Sequence, residues 1–208
     1  MKLKITKDYY EEEDFIYQYS SLTINPGVTV LVGCNGSGKT TLLSIIRDHC
    51  NRNIISYDEY SDQRQGRSNA MSTLNFFGDV KGFALNWMSS EGEQIYNNVG
   101  RFAGKLRNKL INKEKYVLLF DGIDSGQSID SIIDVKDLFN CILNDAEEHG
   151  CECYIVVTAN TFELARDMNC IDATTGKRKK FKSYEAYKKF ILASSEYKKN
   201  RYDKLKEG

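Results

Sequence analysis

Residues 33–40 have the types and spacing of a phosphate-binding loop. A glycine is followed by four residues and then by Gly-Lys-Thr, and such glycines let backbone N–H groups close around phosphate oxygens. We expect Lys39 to reach the β- and γ-phosphates and Thr40 to ligate magnesium. The sequence therefore predicts a site for a nucleoside triphosphate and Mg²⁺. The residues predicted to contact the nucleotide here are Gly33, Asn35, Gly36, Ser37, Gly38, Lys39, Thr40 and Thr41.

An acidic residue follows a second apolar segment. Residues 116–120 form a continuous apolar run, which is typical of a strand buried on both faces of a parallel sheet, and Asp121 comes directly after it. A carboxylate opposite the phosphate loop supports the water shell of the metal. We therefore predict that Asp121 is a catalytic residue, together with Lys39, and that it is a metal-binding residue, together with Thr40.

The elements that must position these residues alternate between strand and helix patterns. Residues 27–32 are predicted as a β-branched strand, and a helix follows the loop to about His49, with its N-terminal dipole facing the anion. Further strands are predicted at residues 53–57 and 153–157. Amphipathic helices are predicted over residues 94–112 and from residue 129, the latter marked by Ile129, Ile132, Ile133, Leu138, Phe139, Ile142 and Leu143. This alternation predicts an α/β fold with a mostly parallel sheet and flanking crossover helices.

The two ends of the chain have different patterns. Residues 1–32 are predicted to form short strands, and a polar loop is expected over residues 58–72. Residues 170–208 are predicted as a hairpin that turns at residues 174–176, followed by a basic helix with Ser183 as its N-cap.

A small polar segment at residues 89–93 directly precedes the predicted helix of residues 94–112. Ser90 and the N–H groups after it are therefore expected at a helix N-terminus, which suits phosphate binding. An ordinary capping box formed by Ser90 and Glu93 explains the same residues, and both roles are compatible.

The order of these motifs resembles the ATP-binding-cassette ATPases, especially the soluble branch with the structural-maintenance-of-chromosomes proteins and related repair and phage ATPases. Residues 33–41 resemble the Walker A motif of that family of P-loop NTPases, and residues 118–121 resemble Walker B. Residues 89–93 resemble its signature, with Ser90 and Gly92 retained and Glu91 in place of a glycine. The resemblance covers residues 20–165 and implies a compact head with a small helical signature region and no coiled coil.

In that family the signature of one subunit contacts the γ-phosphate held by the other. The resemblance therefore implies a homodimer around ATP, with Ser90, Gly92 and Glu93 as nucleotide contacts. Residues 58–93 would also hold a metal-binding glutamine, for which Gln63 and Gln65 are both candidates. The candidates for stacking on the adenine are Tyr9, Tyr10, Phe15, Tyr17 and Tyr19.

Two departures from the family pattern concern hydrolysis. Gly122 stands where the family has the glutamate that polarises the attacking water, and Ala159 and Asn160 stand where a switch histidine is expected. Asn160 is the predicted catalytic residue there, because it can orient a water although it cannot take a proton. Asp124 is not a clear replacement base, since relatives carry an aspartate there as well as the glutamate. Slow or absent hydrolysis is expected.

Several functions remain open from the sequence. The first is a cassette-type ATPase that binds Mg-ATP and closes as a dimer with slow hydrolysis, and the second is a non-hydrolysing ATP-gated interaction protein. A small-molecule kinase is disfavoured by the serine-containing segment before the long helix and by the lack of an arginine-rich lid. An energising subunit of a transporter is also compatible with the motifs.

Composition sets the remaining expectations. The chain has 208 residues, of which 41% are hydrophobic and 28% charged, so residues 1–208 are expected to form one domain. No stretch approaches the roughly 20 apolar residues of a membrane span, so a cytoplasmic protein is expected. The six cysteines contain no Cys-x-x-Cys pair and are predicted to be reduced thiols.

Charge is unevenly distributed in a chain whose formal net charge is zero. From residue 171 onward there are twelve Lys and Arg against five Asp and Glu, interleaved with Tyr184, Tyr187, Tyr197 and Tyr202. This basic C-terminal end could contact nucleic acid or a protein partner, or it could be a solvated helix face.

Overall fold

The computed structural model of the protein describes residues 1–5, 16–50, 54–58 and 115–207. The predicted helix over residues 94–112 lies outside these ranges. The strands are β1 (Lys2–Lys4), β2 (Ser21–Thr23), β3 (Gly27–Val32), β4 (Ile54–Asp58), β5 (Lys115–Asp121), β6 (Glu152–Thr158), β7 (Cys170–Asp172) and β8 (Arg178–Lys179). The helices are α1 (Lys39–His49), α2 (Ile129–Glu148), α3 (Phe162–Ala165) and α4 (Tyr184–Glu207).

Six of these strands form one sheet in the order β4-β5-β6-β3-β7-β8. The first five are parallel to one another, and β8 pairs antiparallel with β7. β1 and β2 form a separate antiparallel pair. The predicted α/β architecture, with a mostly parallel sheet and antiparallel strands near the N-terminus, is confirmed. Because β6 lies between β3 and β5, the phosphate loop after β3 and Asp121 at the end of β5 are one strand apart.

The central strands β3, β5 and β6 are buried on both faces, as their apolar runs predict. In β5, Tyr116, Leu118 and Phe120 point into a core shared with α2, α3 and Tyr187 of α4. The alternate residues Val117 and Leu119 point into a second core with α1 and the β1–β2 pair. Helices therefore cover both sides of the parallel strands, as side chains that alternate along a strand require.

Helix α2 is confirmed, but its apolar surface is wider than its buried stripe. The fully buried residues are Ile132, Val135, Phe139, Ile142 and Ala146. Of the residues that predicted this helix, Ile129 and Ile133 are 61% and 52% exposed. A helix turns by about 100° per residue, so these two residues, one turn apart, share a different face from the buried stripe.

The predicted hairpin and cap near the C-terminus are confirmed. The carboxylate of Asp172 accepts hydrogen bonds from the backbone N–H of Thr174 and the hydroxyl of Thr175, which fixes the turn between β7 and β8. Ser183 Oγ accepts a 3.3 Å hydrogen bond from the N–H of Ala186 at the start of α4. α4 is then anchored in the core by Tyr187 and extends along the protein toward the phosphate loop.

The six cysteines are free thiols, as predicted. Burial raises the pKa of Cys153 and Cys170 to about 12, so these two side chains behave as small apolar groups at neutral pH. Among the residues described here, no helix is long and apolar enough to cross a bilayer.

Candidate functional site

The loop between β3 and α1 depends on glycine at two of its turns. Gly36 and Gly38 have φ angles of +74° and +86°, a region that side chains of L-residues rarely adopt. A Cβ atom on Gly38 would also lie 2.9 Å from the hydroxyl of Tyr17, and one on Gly36 would lie 3.0 Å from Lys198 Nζ. The loop can therefore turn tightly and expose its backbone only with glycine at these positions.

Helix α1 presents its N-terminus to this loop. It begins at Lys39, its first hydrogen bond runs from the N–H of Leu42 to the carbonyl of Gly38, and no acidic residue lies in its first turn. The amides of that turn have no partner within the helix, and the helix dipole adds positive potential there. This end of α1 is suited to an anion.

Lys39 is a buried cation held by the loop itself. Its side chain is only 8% exposed, and Nζ donates to the carbonyls of Gly33 at 2.9 Å and Cys34 at 3.2 Å. Burial lowers the pKa of Lys39, against the opposing effect of nearby carboxylates. A cation in this position gains by exchanging a carbonyl for a phosphate oxygen, because a charge-assisted hydrogen bond is stronger.

The polar groups of the loop are poised for a ligand with several acceptors. Within the described part of the chain, no acceptor pairs with the backbone N–H groups of Asn35, Gly36 or Gly38. Ser37 Oγ is buried and, among the residues that the structure describes, has no hydrogen-bond partner. Phosphate oxygens satisfy such donors, so the residues present fit a polyphosphate.

Asp121 is held in place by the neighbouring strand. It is 5% exposed, and its Oδ1 accepts a 2.7 Å hydrogen bond from Oγ1 of Thr158, at the end of β6. Thr158 Oγ1 in turn accepts a 3.0 Å bond from the N–H of Gly122. Within the described residues, Asp121 Oδ2 has no donor, so it remains available to a water of a metal shell. Thr40 is exposed at the start of α1, where its hydroxyl can reach a metal.

Thr158 was not identified as a site residue from the sequence. Its signal is the register of the sheet, since Val157 pairs with Phe120 and the next residues along the two strands are therefore neighbours. Strand pairing is a long-range property that local patterns do not contain.

Asp124 is a structural carboxylate. It is 2% exposed and accepts four hydrogen bonds: from the N–H and Nδ2 of Asn160, and from the N–H and Oγ1 of Thr161. Thr161 is the N-cap of α3, so Asp124 fixes the segment between β6 and that helix. Both oxygens are in use, which disfavours a role as the base that activates water.

Asn160 and Gly122 lie at the ends of β6 and β5. Asn160 is exposed, its Nδ2 faces Asp124, and within the described residues its Oδ1 has no donor. Its water-orienting role remains a prediction. Gly122 has a φ angle of +69°, so a glutamate at this position would need a left-handed backbone.

Two tyrosines among the candidates for stacking on adenine have other roles. The hydroxyl of Tyr17 donates to the carbonyl of Gly38 at 2.7 Å, and that of Tyr19 donates to the carbonyl of Ala173 at 2.9 Å. Tyr17 is 5% exposed and packs beneath the loop rather than beside an open surface. The remaining predicted site residues lie outside the described ranges; they are Tyr9, Tyr10, Phe15, Gln63, Gln65, Ser90, Gly92 and Glu93.

The loop also has contacts from α4 that the sequence did not indicate. The N–H of Cys34 donates to Ser194 Oγ at 3.2 Å, and Lys198 Nζ donates to the carbonyl of Asn35 at 2.7 Å. The sequence separations are 160 and 163 residues.

A mostly parallel sheet with helices on both faces, a glycine-rich loop before α1 and a supported aspartate at the end of β5 define a nucleotide-binding domain of the P-loop NTPase class. The model of the NB-ARC domain matches residues 16–199, and the chain belongs to this family. No curated protein matched the chain. The P-loop NTPase fold is thereby confirmed, while the closer resemblance to cassette ATPases stays a prediction.

Proposed function

We propose that this chain is an ATP-binding switch that closes with a second copy of itself around Mg-ATP and hydrolyses the nucleotide slowly. The observation that carries the proposal is the buried Lys39 on the phosphate loop. Within the described residues, three amides of that loop, at 35, 36 and 38, and the Ser37 hydroxyl have no acceptor. Asp121 and Thr40 are the residues that would hold Mg²⁺. When bound, Mg²⁺ supplies neutralisation of charge on the β- and γ-phosphates.

Slow hydrolysis is supported by the surroundings of Asp121. Gly122 has no side chain to polarise water, and the two oxygens of Asp124 are taken by four donors. Asn160 can orient a water but does not accept its proton. The residues described therefore favour holding the nucleotide over cleaving it, and a non-hydrolysing ATP-gated interaction protein is the second candidate on the same observation.

Closure with a second copy rests on the resemblance and on one surface. Ile129 and Ile133 form an exposed apolar pair at the start of α2, a few residues after Asp121. Such a pair becomes buried if a second copy covers this end of the sheet, and burial of apolar area favours association.

The experiment measures ATP affinity and molecular size on purified protein. Wild type is expected to bind ATP with Mg²⁺ and to shift toward a dimer, and Lys39→Ala is expected to lose both. Lys180→Ala, at an exposed lysine of the C-terminal hairpin, is the matched control and should behave as wild type. Unchanged ATP affinity in Lys39→Ala would overturn the proposal, and binding without any change in size would remove the dimer from it.

The basic C-terminal end is proposed as the surface for a nucleic-acid or protein partner. Tyr184, Tyr197 and Tyr202 are 57%, 41% and 52% exposed, whereas Tyr187 is buried in the core and leaves the predicted aromatic set. A nucleic-acid partner would show binding that weakens steeply as salt is raised. Affinity for an oligonucleotide that does not change with salt would contradict contact through these charges.

A further inference from the structure

The phosphate loop is contacted by a second ammonium group in addition to Lys39. Lys198 Nζ lies 2.7 Å from the carbonyl oxygen of Asn35 and 3.0 Å from the position that a Cβ on Gly36 would take. Lys39 Nζ lies on the carbonyls of Gly33 and Cys34. The two lysines therefore donate hydrogen bonds to the carbonyls of three consecutive residues of one loop.

The position of Lys198 is set by a rigid element. Ser194 and Lys198 are four residues apart in α4 and so share one face of the helix. Ser194 Oγ accepts the N–H of Cys34, which seats this face on the loop, and Tyr187, earlier in the same helix, is buried in the core. Lys198 is therefore presented to the loop by a helix held at two points.

Lys39 and Lys198 place two positive charges on one loop. Among the described residues, no Asp or Glu pairs with Lys198. Two like charges on one loop repel each other, and an anion between them removes that cost. An ammonium group has three donors, and Lys198 uses one of them on Asn35.

We propose that Lys198 is a phosphate ligand of the nucleotide site, supplied by α4, and that it binds the terminal phosphate of a nucleoside triphosphate. The assignment to the terminal phosphate rests on the neighbouring contacts of Lys39, the residue that serves the β- and γ-phosphates in loops of this type. Lys198 then makes α4 sensitive to the number of phosphates in the site. This inference rests on the proposed nucleotide binding and adds a residue that distinguishes triphosphate from diphosphate.

The test compares ATP and ADP affinities of the full chain with Mg²⁺ by calorimetry. Lys198→Met is expected to weaken ATP binding about 10-fold, the scale of one charge-assisted hydrogen bond, and to change ADP binding less than about 2-fold. Lys198→Arg should restore most of the preference for ATP, because it retains the charge. Lys199→Met, which removes the same charge at the adjacent exposed residue, should match wild type.

The outcomes separate this inference from the function beneath it. The inference is overturned if Lys198→Met changes ATP and ADP affinity equally, or changes neither. A lysine that only held α4 on the loop, without contacting a phosphate, would affect both nucleotides alike. If Lys39→Ala still loses ATP in that case, the proposed nucleotide binding stands. If folded wild type binds neither nucleotide, both fail. Thermal unfolding without nucleotide shows that each variant is folded.

Discussion

Thr158 and Asp121 join the ends of two neighbouring parallel strands through a 2.7 Å hydrogen bond from Oγ1 to Oδ1. The same hydroxyl oxygen accepts the N–H of Gly122, so one side chain orients both the carboxylate and the backbone that follows it. We predict that Thr158→Val lowers the free energy of unfolding by about 1–3 kcal/mol, because it leaves buried polar groups unpaired. It should also reduce the gain in ATP affinity that Mg²⁺ provides.

Denaturant unfolding and nucleotide titrations with and without Mg²⁺ check this prediction. Thr29→Val is the control, because Thr29 is an equally buried threonine on the neighbouring β3, whereas the hydrogen bond to Asp121 comes from Thr158. If Thr158→Val, like the control, kept the full gain in ATP affinity that Mg²⁺ provides, Thr158 would not be positioning Asp121 for a metal.

Much of the fold could be predicted because its elements carry local patterns. The run of residues 116–120 is buried on both faces, and the glycines of the loop precede a helix that begins at Lys39. The cap at Ser183 is equally local, since its partner Ala186 is three residues away. Ile129 and Ile133 show the limit, because apolar character predicts a helix but not which of its apolar residues are covered.

The candidate site could be predicted only where its residues are close in sequence. Lys39 and Thr40 follow from one motif, whereas Thr158 depends on strand register and Lys198 depends on the path of α4 across the molecule. The distinction between Asp121 and Asp124 also needed the structure. Asp121 ends β5 and Asp124 follows that strand, and only their hydrogen-bond partners show that both oxygens of Asp124 are occupied.

Asp124 is predicted to matter for stability rather than for proton transfer. In Asp124→Asn, one carboxylate oxygen becomes an NH₂ group, which cannot accept the bonds from the N–H groups of Asn160 and Thr161. We therefore expect urea unfolding to show a free energy of unfolding lower by about 2–3 kcal/mol. Asp134→Asn, at an exposed position of α2, should change stability by less than about 0.5 kcal/mol. A variant of Asp124 with full stability and abolished ATP turnover would instead identify this carboxylate as the base.

Gly122 offers a direct test of why hydrolysis is expected to be slow. Gly122→Glu restores a carboxylate next to Asp121 and should raise the steady-state ATPase rate above that of wild type. Because φ is +69° at this position, the substitution should also cost about 1–2 kcal/mol of stability.

Gly122→Ala is the matched control for that experiment. It should lose a similar amount of stability to the left-handed backbone but show no gain in ATPase rate. Comparing the two variants therefore separates the effect of backbone strain from that of the carboxylate. Brisk turnover by the natural chain, or no gain with glutamate in a folded variant, would show that the missing side chain at this position does not limit hydrolysis.

Loss of the hydroxyl group is expected to change stability differently at Tyr19 and at Tyr187. Burial raises the pKa of both Tyr19 and Tyr187, so both phenols are neutral donors at moderate pH. Tyr19 donates to the carbonyl of Ala173, whereas the hydroxyl of Tyr187 is buried and has no partner within the described ranges. Tyr19→Phe should therefore destabilise the protein by about 1 kcal/mol, and Tyr187→Phe should leave stability unchanged or raise it by up to about 1 kcal/mol. Thermal and urea unfolding of the two variants measure this difference directly. A loss in Tyr187→Phe as large as that in Tyr19→Phe would mean that the Tyr187 hydroxyl has a partner in the folded protein, and with it a reason for a tyrosine at the base of α4.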